Sequence, residues 1–227
     1  MRVCEEFSRY AAQYGMHNVI QAKVAQKLVA DTDDTPKKIL DLGCGNGTLF
    51  SQITWNIEYF TGVDFSESML EHHPNPAPVT LMLGDFNDPS LFDKLSRMQY
   101  DRIYSASALQ WSNDLNTVFK SISDLLSPVS LALFTSGTFE TLYKTAGLSP
   151  ILKSADEVIE IANRHFKAEY EIIRYVLEFE SVREMFRYIK RSGVSGGRRV
   201  LDVAQTKALM REYPLNYLEF EVVFIAS

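Results

Sequence analysis

Between residues 36 and 135 short apolar runs alternate with stretches of mixed polarity. The runs Lys38–Leu42, Glu58–Val63, Val79–Leu83, Tyr100–Tyr104 and Val129–Thr135 have the length and continuity of buried strands. The intervening stretches are compatible with helix. The clearest is Asn113–Leu126, where Leu115, Val118, Phe119, Ile122, Leu125 and Leu126 keep helical spacing. Strand and helix in strict alternation predict a parallel sheet covered on both faces, whose inner strands are apolar throughout, as LALF at 131–134 is.

The flanks follow other rhythms. Over residues 7–30, Phe7, Tyr10, Ala11 and Tyr14 share one helical stripe and Ile20, Val24 and Leu28 a second, with Gly15 as a break between them. The polar, proline-ended stretch 31–36 stops this segment. Residues 137–167 and 181–212 read as largely helical and separate two long β-like segments, Glu169–Phe179 and Tyr217–Ala226. These are expected to complete the sheet as a hairpin-like antiparallel edge. No linker rich in Gly, Ser or Pro and no internal repeat divides the chain. The expectation is one α/β domain: a helical lid over 1–31, a core over 36–135, and helical decoration with the last two strands over 136–227.

Composition narrows the function classes. The chain has 227 residues, 46% hydrophobic and 23% charged, so a folded globular domain is expected. Twenty-three Lys and Arg against 29 Asp and Glu leave a net charge of −6, which argues against bulk binding to nucleic acid or an anionic membrane. Two cysteines, Cys4 and Cys44, permit one disulfide but exclude a disulfide framework or a zinc cluster of cysteines. The acidic N-terminus lacks a signal-like apolar stretch, and no run reaches the ~18–20 residues needed to span a bilayer. A cytoplasmic location is expected. His72 and His73 are adjacent, His165 stands alone, and no carboxylate spacing around them suggests a metal site.

The sharpest signal is ILDLGCGNG at 39–47, where a strand ends in Asp41 and glycines follow at 43, 45 and 47. Glycine tolerates unusual backbone angles and lets a ligand approach the main chain. Entering a helix, such a loop places its ligand at the carboxyl ends of the strands. A dinucleotide loop has its third glycine one position later, where this chain has Thr48, and no Gly-Lys-Ser/Thr follows as in a P-loop. An acid two residues before Gly43 repels pyrophosphate but suits a cationic amino group. Asp64 ends the next strand, where a carboxylate can accept both hydroxyls of a ribose. Asp85 and Phe86 follow the third, where a carboxylate and a ring suit an adenine. Cys44, inside the loop, has a lowered thiol pKa if a helix begins beside it.

Three acidic strand ends in this order resemble the class I S-adenosylmethionine-dependent methyltransferases. The resemblance implies a Rossmann-like seven-stranded sheet, mostly parallel with an antiparallel edge, helices on both faces and an N-terminal lid. It further implies S-adenosylmethionine as cofactor, its methionine end on Asp41 and the Gly43, Gly45 and Gly47 loop, its ribose on Asp64, its adenine against Asp85 and Phe86. Four further stretches are similar to the malonyl-[acyl-carrier protein] O-methyltransferases of biotin synthesis: FSRYAAQY at 7–14 with His17 and Gln21, SALQW at 107–111, RYIKRSG at 187–193 and YPLNY at 213–217. This similarity implies methyl-esterification of a malonyl carboxylate carried on acyl-carrier protein, or on coenzyme A. SGVSGGRR at 192–199 and the proline-laden 74–78 depart from that family's run.

A carboxylate acceptor is ionised at neutral pH, about three units above its reference pKa, and needs no general base. Tyr14 and His17 are one helical turn apart, Gln21 one turn further. The resemblance implies that Tyr14 and His17 close over donor and acceptor. The plain alternative is an amphipathic helix packed on the sheet. Gln110 and Trp111 follow strand four, one placed to donate to the acceptor carboxylate and the other to wall the site. Arg187, Lys190, Arg191, Arg198 and Arg199 form a positive run suited to an acidic carrier protein, with Lys190 or Arg191 as the substrate-carboxylate ligand. The rival functions are methyl transfer to another small acid or quinone-type ring, and cofactor binding without turnover.

Overall fold

The computed structural model describes residues 19–191 and 203–227, without the side chains of Lys190, Arg191 and Val203. Seven strands form one sheet: β1 (Lys38–Leu42), β2 (Tyr59–Asp64), β3 (Val79–Leu83), β4 (Arg102–Ala106), β5 (Val129–Phe134), β6 (Glu169–Glu178) and β7 (Tyr217–Ala226). Their order is β3-β2-β1-β4-β5-β7-β6. The first five are parallel, and β7 runs antiparallel between β5 and β6. The expected antiparallel edge is present, and, as expected, the described residues between β6 and β7 include helices.

Strand alternation sorts the core into two layers. Leu40, Leu42, Ile103, Leu131 and Leu133 face a layer completed by α3 (Pro89–Leu95), α4 (Leu115–Ser123) and α6 (Ala155–Ala162). Ile39, Phe60, Tyr104, Ala132 and Phe134 face the other, covered by α1 (Val19–Ala30) through Ile20, Val24, Ala25 and Leu28. The short α2 (Glu67–Leu70) follows β2, and α5 (Glu140–Ala146) follows β5. The helices α7 (Val182–Arg191) and α8 (Val203–Glu212) occupy the β6–β7 connection. All six residues of β5 are buried, as a parallel strand covered on both faces requires.

Local chemistry sets several helix starts. The Asp88 side chain accepts from the Ser90 amide with Pro89 in the first turn, the Asp114 side chain from Asn116, and Ser154 with Glu157 forms a reciprocal capping box. Edge strand β6 is half wet and carries Glu169, Glu171 and Arg174, charges that discourage further strand pairing. Strand β4 lies two residues later than its apolar pattern suggests. Asp101 holds the chain by accepting from the amides of Lys37 and Lys38, so Tyr100 packs in the core ahead of the strand. The strand then runs on through small Ser105, whose hydroxyl donates to the Leu42 carbonyl.

Candidate functional site

The order of strands reverses at β1, which has β2 on one side and β4 on the other, so a crevice opens at their carboxyl ends. The loop after β1 fills its floor. Gly43 has φ +76°, and a methyl group there lies 2.2 Å from the Ala108 Cβ, so only glycine fits. Gly45 has φ +55° and meets no protein atom on its open side. The amides of Gly43 and Cys44 donate to the Val63 carbonyl at 2.8 and 3.0 Å. Asp64 clamps the loop from β2: one oxygen accepts from the Gly45 amide at 2.9 Å, the other from the Ser66 amide at 2.9 Å. Burial pushes the Asp64 carboxyl up, against those backbone donors.

Asp41 lies beside it and is treated very differently. It is 1% exposed, and neither carboxylate oxygen has a hydrogen-bond partner. Burial pushes its pKa up to about 8, the nearby Asp64 charge adding to the effect. An acid left so is poorly tolerated in a finished core, so these oxygens point to a cationic ligand group. Both acids line an open cavity of about 790 Å³, solvent at its mouth included. Gly43, Gly45, Gly84, Phe86 and Trp111 also line it.

The remaining expected residues divide. Phe86 is buried in the cavity wall, whereas Asp85 is exposed and outside the lining, one oxygen accepting from the Asn87 amide and side chain at 2.8 Å. Gly47 turns the loop with φ +84° under Pro74 and His73, outside the lining. The Gln110 side-chain amide donates to the Ser107 carbonyl at 2.7 Å and lies outside the lining too. Trp111 lines this cavity and a second one, of about 330 Å³, formed by Phe134, Phe139, Tyr143 and Leu152 with the hydroxyls of Thr135 and Ser136. Tyr14, His17, Arg198 and Arg199 lie outside the described residues, as do the side chains of Lys190 and Arg191. Arg187 is exposed on α7.

The Cys44 thiol runs opposite to expectation. The loop leads into a single 3-10 turn, Phe50–Gln52, rather than a full helix, and burial with the charges of Asp41 and Asp64 pushes the thiol well above its usual value. His73 is a core residue, packed near Phe50 and Phe60 at ring distances of 5.6 and 5.8 Å, and burial lowers its pKa. Among the described residues no group of His, Cys, Asp and Glu has metal-site geometry. Lining residues to which the sequence assigns no role include Phe65, Met69 and Ser107. Ser107, at the head of the SALQW stretch, sits just beyond β4 with φ 63° and an unpartnered buried hydroxyl.

Residues 39–129 match the family model described as a methyltransferase domain. The chain is 31% identical over 241 aligned positions to the malonyl-[acyl-carrier protein] O-methyltransferase of Acetivibrio thermocellus, covering 91% of this chain and 83% of that one. The chain belongs to the class I S-adenosylmethionine-dependent methyltransferases. The enzyme of the same name from Chlorobium phaeovibrioides is 28% identical over 213 positions, covering 86% and 80% of the two chains. Among solved structures, phosphoethanolamine N-methyltransferase 2 of Haemonchus contortus in complex with S-adenosyl-L-methionine superposes with a TM-score of 0.54. At 16% identity that match covers 91% of this chain and 51% of that one.

The cavity fits the methyltransferase cofactor. Asp41 offers two unmet acceptors to its amino group, the glycine loop lets it lie against the backbone, and Phe86 supplies an apolar wall. Asp64, which also lines the cavity, would be the residue to hold the ribose. Asp64→Ala is therefore expected to weaken cofactor binding by about 1.5–3 kcal/mol, through loss of hydrogen bonds to a charged group. Because Asp64 also tethers Gly45, the thermal midpoint should fall with it; calorimetric titration with S-adenosylhomocysteine showing unchanged affinity would refute the assignment.

Proposed function

We propose that this methyltransferase esterifies the free carboxylate of a malonyl thioester carried on acyl-carrier protein, an early step of biotin (pimeloyl) synthesis. The observation that carries this reading is the similarity, over four-fifths or more of both chains, to two enzymes named for that reaction. A ring hydroxyl or carbon acceptor needs a base to take its proton, whereas a malonyl carboxylate arrives already ionised.

The bound cofactor supplies a methyl group made electrophilic by the positive charge on its sulfur. The residues of this chain then have three tasks: to fix the donor, to bring the carboxylate oxygen into line, and to exclude water. Asp41, the Gly43–Gly47 loop, Asp64 and Phe86 serve the first. Trp111 stands between the two cavities, and the smaller one, apolar with scattered hydroxyls, suits the uncharged arm behind the malonyl group. In this reading Tyr14 and His17 close over the reacting atoms, Lys190 or Arg191 holds the acceptor, and Arg187 on α7 adds to a basic face for an acidic carrier.

The test is mass spectrometry of product formed from malonate on carrier protein and on coenzyme A, in parallel. The expected result is a methyl ester on the carrier-bound substrate at a higher kcat/KM than on the coenzyme A thioester. A protein that binds S-adenosylmethionine yet esterifies neither would overturn the proposal.

A further inference from the structure

The register of β1 decides which way Asp41 looks. Asp41 is two residues from Ile39, so both point to the same side of the sheet, and Ile39 packs in the layer covered by α1. Helix α1 therefore lies over the face from which the Asp41 carboxylate emerges. Two of its residues, Gln21 and Ala25, line the cofactor cavity, and Ala25 is buried in the layer beneath it. The Gln21 carbonyl oxygen is buried and has no hydrogen-bond partner. With Asp41 ionised, as pairing with a cation makes it, the cavity brings together three acceptor atoms without donors: two on Asp41 and one on Gln21.

That set has a narrow chemical meaning. Buried acceptors carry a desolvation cost until donors reach them. A hydroxyl brings one hydrogen and a neutral amide two, leaving at least one acceptor unmet, and neither offsets the carboxylate charge. An ammonium brings three hydrogens and the opposite charge. Asp64, the other acid of the lining, has an oxygen on Gly45 and an oxygen on Ser66, while the Ser107 hydroxyl can itself donate and needs no cation.

We propose that Gln21 is a cofactor-binding residue, its side-chain carbonyl sharing the ammonium of the methionine moiety with Asp41. This rests on the cofactor assignment and is independent of the acceptor proposed above. It ties the cofactor's amino end to α1 as well as to β1, so the donor is held between the sheet and the helix that follows the N-terminal segment.

Calorimetry on the full chain with three ligands tests this role: S-adenosylhomocysteine, its deaminated analogue and its decarboxylated analogue. Gln21→Leu is expected to weaken the first and third roughly 10- to 100-fold, the effect of one hydrogen bond to a charged group, and to leave the deaminated ligand unchanged. Gln21→Glu keeps an acceptor and is expected to widen the preference for amino-bearing ligands over the deaminated one. Equal weakening of all three by Gln21→Leu, weakening confined to ligands with the carboxylate, or a narrowed preference in Gln21→Glu would overturn the role. Wild-type protein that binds none of the three would overturn the cofactor assignment and this role together.

Discussion

Asp41→Asn is expected to make the ligand-free methyltransferase more stable while weakening its cofactor affinity. The folded-state pKa of about 8 lies above the ordinary 3.8, so the native state holds a proton that the unfolded chain releases. The sign follows: Asp41 does not oppose folding below about pH 4, and its destabilising effect grows as pH rises, reaching its full size above about pH 8. Four units correspond to roughly 5–6 kcal/mol. A neutral asparagine leaves unmet polar burial much like that of the neutral acid, so the gain follows the ionisation penalty and is on the order of 3 kcal/mol or more at pH 8. For a chain of this size that raises the thermal midpoint by about 6–12 °C or more at pH 8. As the pH falls toward about 4 both side chains are neutral and the gain should vanish. A variant less stable than wild type at pH 8 would show that Asp41 is a structural acid. The expected pattern is that of a site kept strained for its ligand.

Gly43→Ala should act in the opposite direction, on the fold itself. The added methyl falls 2.2 Å from the Ala108 Cβ, and the backbone at φ +76° disfavours any side chain. Overpacking of about 1–3 kcal/mol and a left-handed backbone cost of about 1–2 kcal/mol combine. The expected fall in thermal midpoint is about 4–20 °C. Ala108→Gly in the same chain should recover the overpacking share and leave the backbone share. Gly45→Ala, at φ +55° with nothing within 4 Å, should lose only the backbone share, about 1–2 kcal/mol. Equal losses at the two glycines, or no recovery in the double variant, would show that contact with Ala108 does not set the loop.

The parallel core was legible because its cause is local. Continuous apolar runs such as Val129–Phe134 can only be strands covered on both faces, and glycine spacing after Asp41 marks the place where the backbone must yield to a ligand. What the sequence concealed depends on contacts between distant residues. The end of β4 is small and polar, and Ser105 is a strand residue because its hydroxyl meets Leu42, a partner 63 positions away. The fate of Cys44 turned on the lack of a full helix after the loop and on two buried acids beside it. Gln21 stands out in the sequence by its spacing from Tyr14 and His17, but its meeting with Asp41 in the cavity depends on the register of β1 beneath α1. Asp85, read correctly as a strand-end acid, is turned outward by the Asn87 amide, a choice made within two residues yet invisible in an apolar pattern.

The most direct measurement is a count of protons released when S-adenosylmethionine binds, by calorimetry at pH 7 in buffers of different ionisation enthalpy. The cofactor's ammonium is still protonated there, and so is Asp41, with its pKa near 8. Pairing the two as an ion pair must expel roughly one proton, and the release should shrink as the pH passes 8. In Asp41→Asn the proton has no source. Binding by the wild type with no proton release at pH 7, or the same release from the Asn variant, would contradict the placement of the cofactor's amino group on Asp41.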